Sequence, residues 1–199
     1  QPTTEGIFTS PLVPSVVAIL PSGDAWVGEG AKRLRTDPQQ KNLIPEKTIF
    51  FDTKNDMGLK KSYFLANESY NSAWKIAGHI LAFLRNKAQD ISKTEPNRIV
   101  VTVPASFQLN QRRDTLLAAK MANLNLKEHD LLDEPTAALL DYLITKSPEN
   151  IFKAGIVSNV LVFDFGGGTC DVSIVRIEID NDTEQLKASM LSVSRYHRL

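Results

Sequence analysis

Residues 161–177 read LVFDFGGGTCDVSIVRI: an apolar run, an aspartate, three glycines, a threonine, a second acid, and apolar residues again. Strands NVLVFDF (159–165) and CDVSIVRIEID (170–180) flank the triplet. A tight hairpin turn needs only one or two glycines, usually beside Asn or Asp. Three in a row carry additional backbone entropy into folding. They also leave consecutive N–H groups unshielded by any Cβ, so that phosphate oxygens can approach them. Thr169 adds a hydroxyl. Asp164 repels a phosphate directly but is suited to holding a hydrated Mg²⁺ beside one. The turn thus reads either as an unusually glycine-rich hairpin or as a phosphate grip. The second strand raises its own question, because Val172 and Ile174 are in even phase while Val175, Ile177 and Ile179 are in odd phase. Either both faces are buried or a bulge lies near Ile174 and Val175.

Upstream, RIVVTVP (98–104) is a β-branched run that reads as a strand covered on both faces, as in a layered α/β domain. Leu109, Leu116, Leu117, Ala119 and Met121 place a helix over about 109–122. LKEHDLLDE (126–134) contains a short strand, and PTAALLDYLITK (135–146) reads as a helix with Pro135 at its first position. Glu134 then has two readings: a capping acid favoured by the helix dipole, or a cleft acid that orders a metal-bound or attacking water. Residues 147–159 are a polar connector and the best candidate boundary. Earlier, 68–92 carries Ala73, Ala77, Ile80, Leu81, Leu84, Ala88 and Ile91 at spacings of three and four, an amphipathic helix with Asn67 or Ser69 as its cap. Segment 12–66 reads as short strands and turns: SVVAIL (15–20), AWVG (25–28), TIFF (48–51) and LKKSYFLA (59–66).

Composition excludes several classes. Of 199 residues, 42% are hydrophobic and 23% charged, the balance of a globular protein. Lys and Arg (23) match Asp and Glu (23), which gives no electrostatic reason to expect a nucleic-acid or membrane partner. The single cysteine, Cys170, cannot form an internal disulfide and fits a reducing, cytoplasmic setting. The three histidines are too scattered to suggest a metal site. DFG at 164–166 lacks a kinase catalytic loop before it, and no Walker-type GxxxxGK[ST] is present. The start QPTTEGIFTSPLVPS is neither a signal peptide nor begun by Met, so an excerpt of a longer protein is expected.

Three stretches in order, VTVPASF…QRR, LLDEPTAALLDY and VLVFDFGGGTCDVSI, resemble the nucleotide-binding domain of the seventy-kilodalton heat-shock chaperones of DnaK type. That family shows VPA-x-F…QR, NEPTAAA and DLGGGTFDVS stretches at similar separations. PSVVAI…VGEGAKR (14–33) is similar to its PS-x-x-A…VG-x-x-AKR, so the resemblance spans about 13–199. It implies an α/β, actin-like (ribonuclease-H-like) ATPase fold, incomplete here, with most of lobe one and the start of lobe two. Residues 1–11 would be an N-terminal segment, 12–66 the outer small subdomain of lobe one, 67–150 its core, 151–157 a connector, and 158–199 the beginning of lobe two.

The resemblance also implies roles and ligands: ATP or ADP with Mg²⁺, and a monovalent cation such as K⁺. Gly166, Gly167, Gly168 and Thr169 would form the second phosphate loop. Asp164 would organise Mg²⁺ through water, Glu134 would position metal or water, and Asp171 would lie in the monovalent-cation or metal shell. Lys47, with Lys41 as the alternative, would stand beside the γ-phosphate. Pro104 and Arg112 match a pair that relays nucleotide state to a substrate domain. The implied partners are unfolded proteins bound by a domain outside these residues, a J-domain co-chaperone and a nucleotide-exchange factor. Departures from the pattern are Cys170 for phenylalanine, most simply a small buried apolar residue, and Asp133 for asparagine. The family's first phosphate loop would precede residue 1 and its adenosine-binding loops would follow Leu199. These residues alone are therefore expected to bind ATP weakly and not hydrolyse it. Other readings are a divergent regulator or exchange factor, an actin-like filament protein, and a sugar or acetate kinase. The last two would not be expected to carry DEPTAA or VPASF.

Overall fold

A computed structural model of the chain describes residues 1–36, 43–146, 152–165, 170–183 and 185–194. The fold is mixed α/β, and contacts divide it into two compact units. One comprises Gln1–Ile99 and Gln108–Glu128, the other Val100–Phe107 and His129–Leu199.

The first unit opens with a small hairpin of β1 (Pro2–Thr3) and β2 (Gly6–Ile7). The expected hairpin forms next: β3 (Val17–Ile19) pairs antiparallel with β4 (Ala25–Val27) across a turn at Gly23, and β5 (Ile49–Phe50) adds to the other edge of β3. Between β4 and β5 stands α1 (Glu29–Thr36), a helix in a segment expected to hold only short strands and turns. Only eight residues long, it is far below the length that holds alone in water. Its first free N–H, on Glu29, donates to the Gln1 side chain at 2.8 Å, a cap supplied from 28 residues away. Alternation along β3 then divides the core. Val16 and Ala18 pack with Ala31, Leu34 and Ile49 on one side, while Val17 meets Val27, Phe50, Tyr63 and Ile76 on the other.

Residues 59–66 make no strand. Tyr63 is buried, but Phe64 is 91% exposed and among the described residues no strand pairs with this stretch, so the segment runs as irregular chain. The amphipathic helix α2 runs Ala73–Ser92. Asn67 does cap, but it caps a separate 3-10 turn over Glu68–Tyr70 by accepting from the Ser69 N–H. Ser72 occupies the cap position of α2 itself. Helix α3 (Leu109–Met121) packs on α2, and Met121 lies where any side chain at Gly78 would stand. A capping box between Gln108 and Gln111 fixes the start of α3.

In the second unit, β6 (Val101–Val103) pairs in parallel with β7 (Leu131–Asp133). Burial along β6 is one-sided, with Val103 buried and Thr102 exposed, so the expected two-faced cover is absent among the described residues. Helix α4 (Glu134–Lys146) follows β7 directly, one residue earlier than expected. Across the polar connector, β8 (Ser158–Phe165), β9 (Cys170–Ile179) and β10 (Leu186–Val193) form an antiparallel sheet in the order β10-β9-β8. Leu139 and Leu143, one turn apart on α4, pack with Phe152, Val175 and Ile177 on its inner face. The outer face keeps Leu161 and Phe163 at 64% and 62% exposure.

The phase question in β9 has a definite answer. A register shift does occur opposite Ile174 and Val175, but it lies in β10, between Met190 and Ser192. Strand β9 itself alternates without a break: Asp171, Ser173, Val175 and Ile177 are buried, and Ile174 and Arg176 are exposed. The apparent switch arises because the inner face is polar at one end.

Candidate functional site

The polar end of β9 is the end that meets the glycine turn. Strands β8 and β9 are in register up to Phe165↔Cys170, so residues 166–169 join two antiparallel partners. Gly166, Gly167, Gly168 and Thr169 themselves lie outside the described residues, as does Lys41.

The next pair in the ladder is Asp164↔Asp171. Opposed residues share a face and bring their Cβ atoms to about 4.5–5.5 Å, where like charges repel. Asp164 is exposed, whereas Asp171 is only 6% exposed. A carboxylate this buried needs donors or a cation. Among the described residues its side-chain donor is the Ser106 hydroxyl, 3.5 Å from Oδ1, at the long limit of a hydrogen bond. Beside it on β9, Ser173 is 2% exposed and its Oγ has no hydrogen-bond partner among the described residues. Two opposed acids and an unpaired buried hydroxyl at the mouth of a turn make a donor set suited to a cation. Among the described residues no three Asp, Glu, His or Cys side chains converge as a direct metal cluster.

Pro104 and Glu134 each follow a member of the paired couple Val103↔Asp133. Both therefore leave the carboxyl ends of neighbouring parallel strands, the edge at which α/β sheets bind ligands. Glu134, half-buried, is the first residue of α4, so its carboxylate also suits the helix dipole. The Ser106 contact ties the loop after β6 to the start of β9. Pro104, Ser106, Glu134, Asp164 and Asp171 thus all belong to the second unit.

Lys47 and Arg112 belong to the first unit. Lys47 is exposed on a tight turn in which the Ile44 carbonyl accepts from the N–H groups of Lys47, Thr48 and Ile49 at 3.1, 2.9 and 3.2 Å. Arg112 lies in the first turns of α3, half-buried. Sequence reasoning passed over Ser106 and Ser173. Ser106 occupies the variable place in VPASF, and the polar phase of β9 was the available signal for Ser173.

Among the described residues no helix is long and apolar enough to cross a membrane. The family model described as "Hsp70 protein" matches residues 9–189. The chain is 34% identical over 189 residues to "Chaperone protein DnaK" of Thermoplasma volcanium, covering 94% of this chain and 28% of that protein. It is 39% identical over 176 residues to the DnaK protein of Thermotoga petrophila, covering 88% of this chain and 26% of that one. A "Chaperone protein HscA homolog" of Ralstonia pickettii is 33% identical over 184 residues, covering 84% of this chain and 27% of that protein. The chain therefore spans about a quarter of the length of these relatives. Over nearly all of its own length it matches them, with VPASF, DEPTAA and the GGGT turn inside the matched region, and it belongs to the Hsp70 family.

Proposed function

We propose that these residues are part of the ATP-binding and hydrolysing domain of a DnaK-type chaperone, in which hydrolysis gates the binding of unfolded protein by a further domain. The reading includes an actin-like fold. In it, 12–66 are the outer subdomain of lobe one, 67–150 its core, 151–157 a connector and 158–199 the start of lobe two. The exposed apolar face carrying Leu161 and Phe163 is the kind of surface on which a further layer of such a lobe packs. A cytoplasmic protein, served by a J-domain partner and an exchange factor, completes the proposal.

The observation that carries it is the opposed pair Asp164↔Asp171 flanking the GGGT turn. Phosphoryl transfer needs positioning and charge neutralisation more than covalent chemistry. Mg²⁺ bound with ATP supplies the neutralisation. Asp164, at the end of β8, would hold its hydration shell. Gly166 to Gly168 and Thr169 would donate N–H and hydroxyl groups to phosphate oxygens. Glu134, at the carboxyl end of β7, would orient the attacking water, and Lys47 would add positive charge at the γ-phosphate. Asp171, held by Ser106, would complete the site with a monovalent cation. Pro104 and Arg112 would report the nucleotide to the substrate domain.

The test is ATP turnover by the full-length protein, with and without an unfolded peptide. Slow turnover that rises with peptide is expected. Turnover that is absent, or indifferent to peptide while nucleotide still binds, would support a regulator in place of a chaperone.

A further inference from the structure

Arg112 and Lys47 have been assigned roles at opposite ends of one process, yet no element contains both. A polar track inside the first unit joins them. At one end, α3 grips a single backbone residue from both sides. The Gly58 N–H donates to Asp114 Oδ2 at 2.7 Å, and the Gly58 carbonyl accepts from Asn110 Nδ2 at 2.7 Å. Asn110 and Asp114 are one turn apart and so share a face of the helix, with Arg112 between them in sequence on a different face. The grip requires glycine. Gly58 has φ +75°, and a Cβ there would stand 2.7 Å from Gln111 Cγ and 2.9 Å from the Asn110 amide. Gln111 cannot yield easily, because its tip is held in the capping box by the Gln108 N–H.

From Gly58 the track runs back through a tightly turned segment. The Leu59 N–H donates to the Asp56 carbonyl at 3.2 Å, and the Met57 N–H to that of Lys54 at 3.3 Å. Asp56 Oδ2 accepts from the Tyr63 hydroxyl at 3.0 Å and from Lys61 Nζ at 2.8 Å. The same Nζ donates to Glu46 Oε1 at 2.7 Å and lies 5.2 Å from the Tyr63 ring centroid. Glu46 immediately precedes Lys47, sits in the left-handed region at φ 58°, and donates its N–H to the Ile49 carbonyl. An isolated surface ion pair would hold little. Here one ammonium bridges two carboxylates, and one of those is anchored by a buried tyrosine.

We propose that Gly58, gripped by Asn110 and Asp114, and Lys61, bridging Asp56 and Glu46, form a mechanical link that makes the Lys47 turn follow the position of α3. Asn110, Asp114 and Lys61 are then positioning residues. The functional meaning rests on the proposed roles of Lys47 and Arg112, while the link itself can be tested without them.

Hydrogen exchange on the full-length protein provides the test. Asp114→Ala and Lys61→Met should each speed exchange of amides 44–50 by about threefold or more, with the β9 and β10 amides unchanged. Asp114→Asn, which keeps an acceptor, and Lys61→Arg should restore the slow rates. An Asp114→Ala effect confined to residues 57–59 and 108–115 would overturn the link, as would a rise spread evenly over the whole chain. Failure of the Lys47 assignment shows separately, as undiminished ATP turnover in Lys47→Ala, and leaves the exchange result standing.

Discussion

Asp171 and Ser173 show how a site residue is recognised by what it lacks. Each is buried in the second unit, and among the described residues their side chains share a single, long hydrogen bond, from Ser106 to Asp171. An unsatisfied buried hydroxyl costs on the order of 1–3 kcal/mol. Ser173→Ala should therefore raise stability in urea by about 1 kcal/mol. A loss of stability instead would mean that the hydroxyl holds a partner in solution. Gly58 gives the opposite case, a residue whose replacement is costly. Gly58→Ala should destabilise by about 2–3 kcal/mol, since it combines a left-handed backbone with a blocked Cβ. Gly23 has φ +90° but open space around its Cβ, so Gly23→Ala should cost only about 1 kcal/mol. Equal losses in urea titrations of the two variants would contradict the steric part of the argument.

Elements differed in how legible they were. Helices α2, α3 and α4 declare themselves because their apolar residues repeat over many turns. The β3–β4 hairpin and the β8–β9 strands do so through alternation around turn residues. Helix α1 was hidden, since an eight-residue helix capped by Gln1 depends on contacts no local window contains. Residues 59–66 have strand-like composition but no partner edge, so the stretch stayed irregular. In β9 the apparent change of phase comes from polar residues, Asp171 and Ser173, at inner positions next to the turn, and the bulge expected near Ile174 and Val175 lies across the ladder in β10. Of the candidate site, Asp164, Asp171, Glu134 and Pro104 stand out in motifs, whereas the contact of Ser106 with Asp171 spans 65 residues and has no local signature. On α2, His79 stacks on Tyr70 with ring centroids 4.2 Å apart, and its Nε2 faces the Ser69 carbonyl at 3.2 Å. Burial lowers its pKa, and the carbonyl only partly opposes this. A lowered histidine pKa means that the unfolded chain binds the proton more readily, so stability falls as pH drops through the unfolded value. The melting temperature should decline between about pH 7 and 5.5, and His79→Gln should flatten that decline. An unchanged slope in the variant would remove His79 as its source.

At the scale of the whole molecule, family membership and site geometry answer different questions. The Hsp70 match covers residues 9–189, yet the chain spans about a quarter of its relatives. The proposed activity is therefore tested on the full-length protein. In the proposed function the GGGT segment, set between Asp164 and Asp171, grips the phosphates of a Mg²⁺-bound nucleotide. Equilibrium binding of ATP to the full-length protein tests it most directly, measured with and without Mg²⁺ for the native sequence and for Asp164→Asn. Tight binding that requires Mg²⁺ is expected, weakened about tenfold or more by Asp164→Asn as a charge facing the metal is lost. Binding that ignores both Mg²⁺ and the Asp164→Asn change would contradict it.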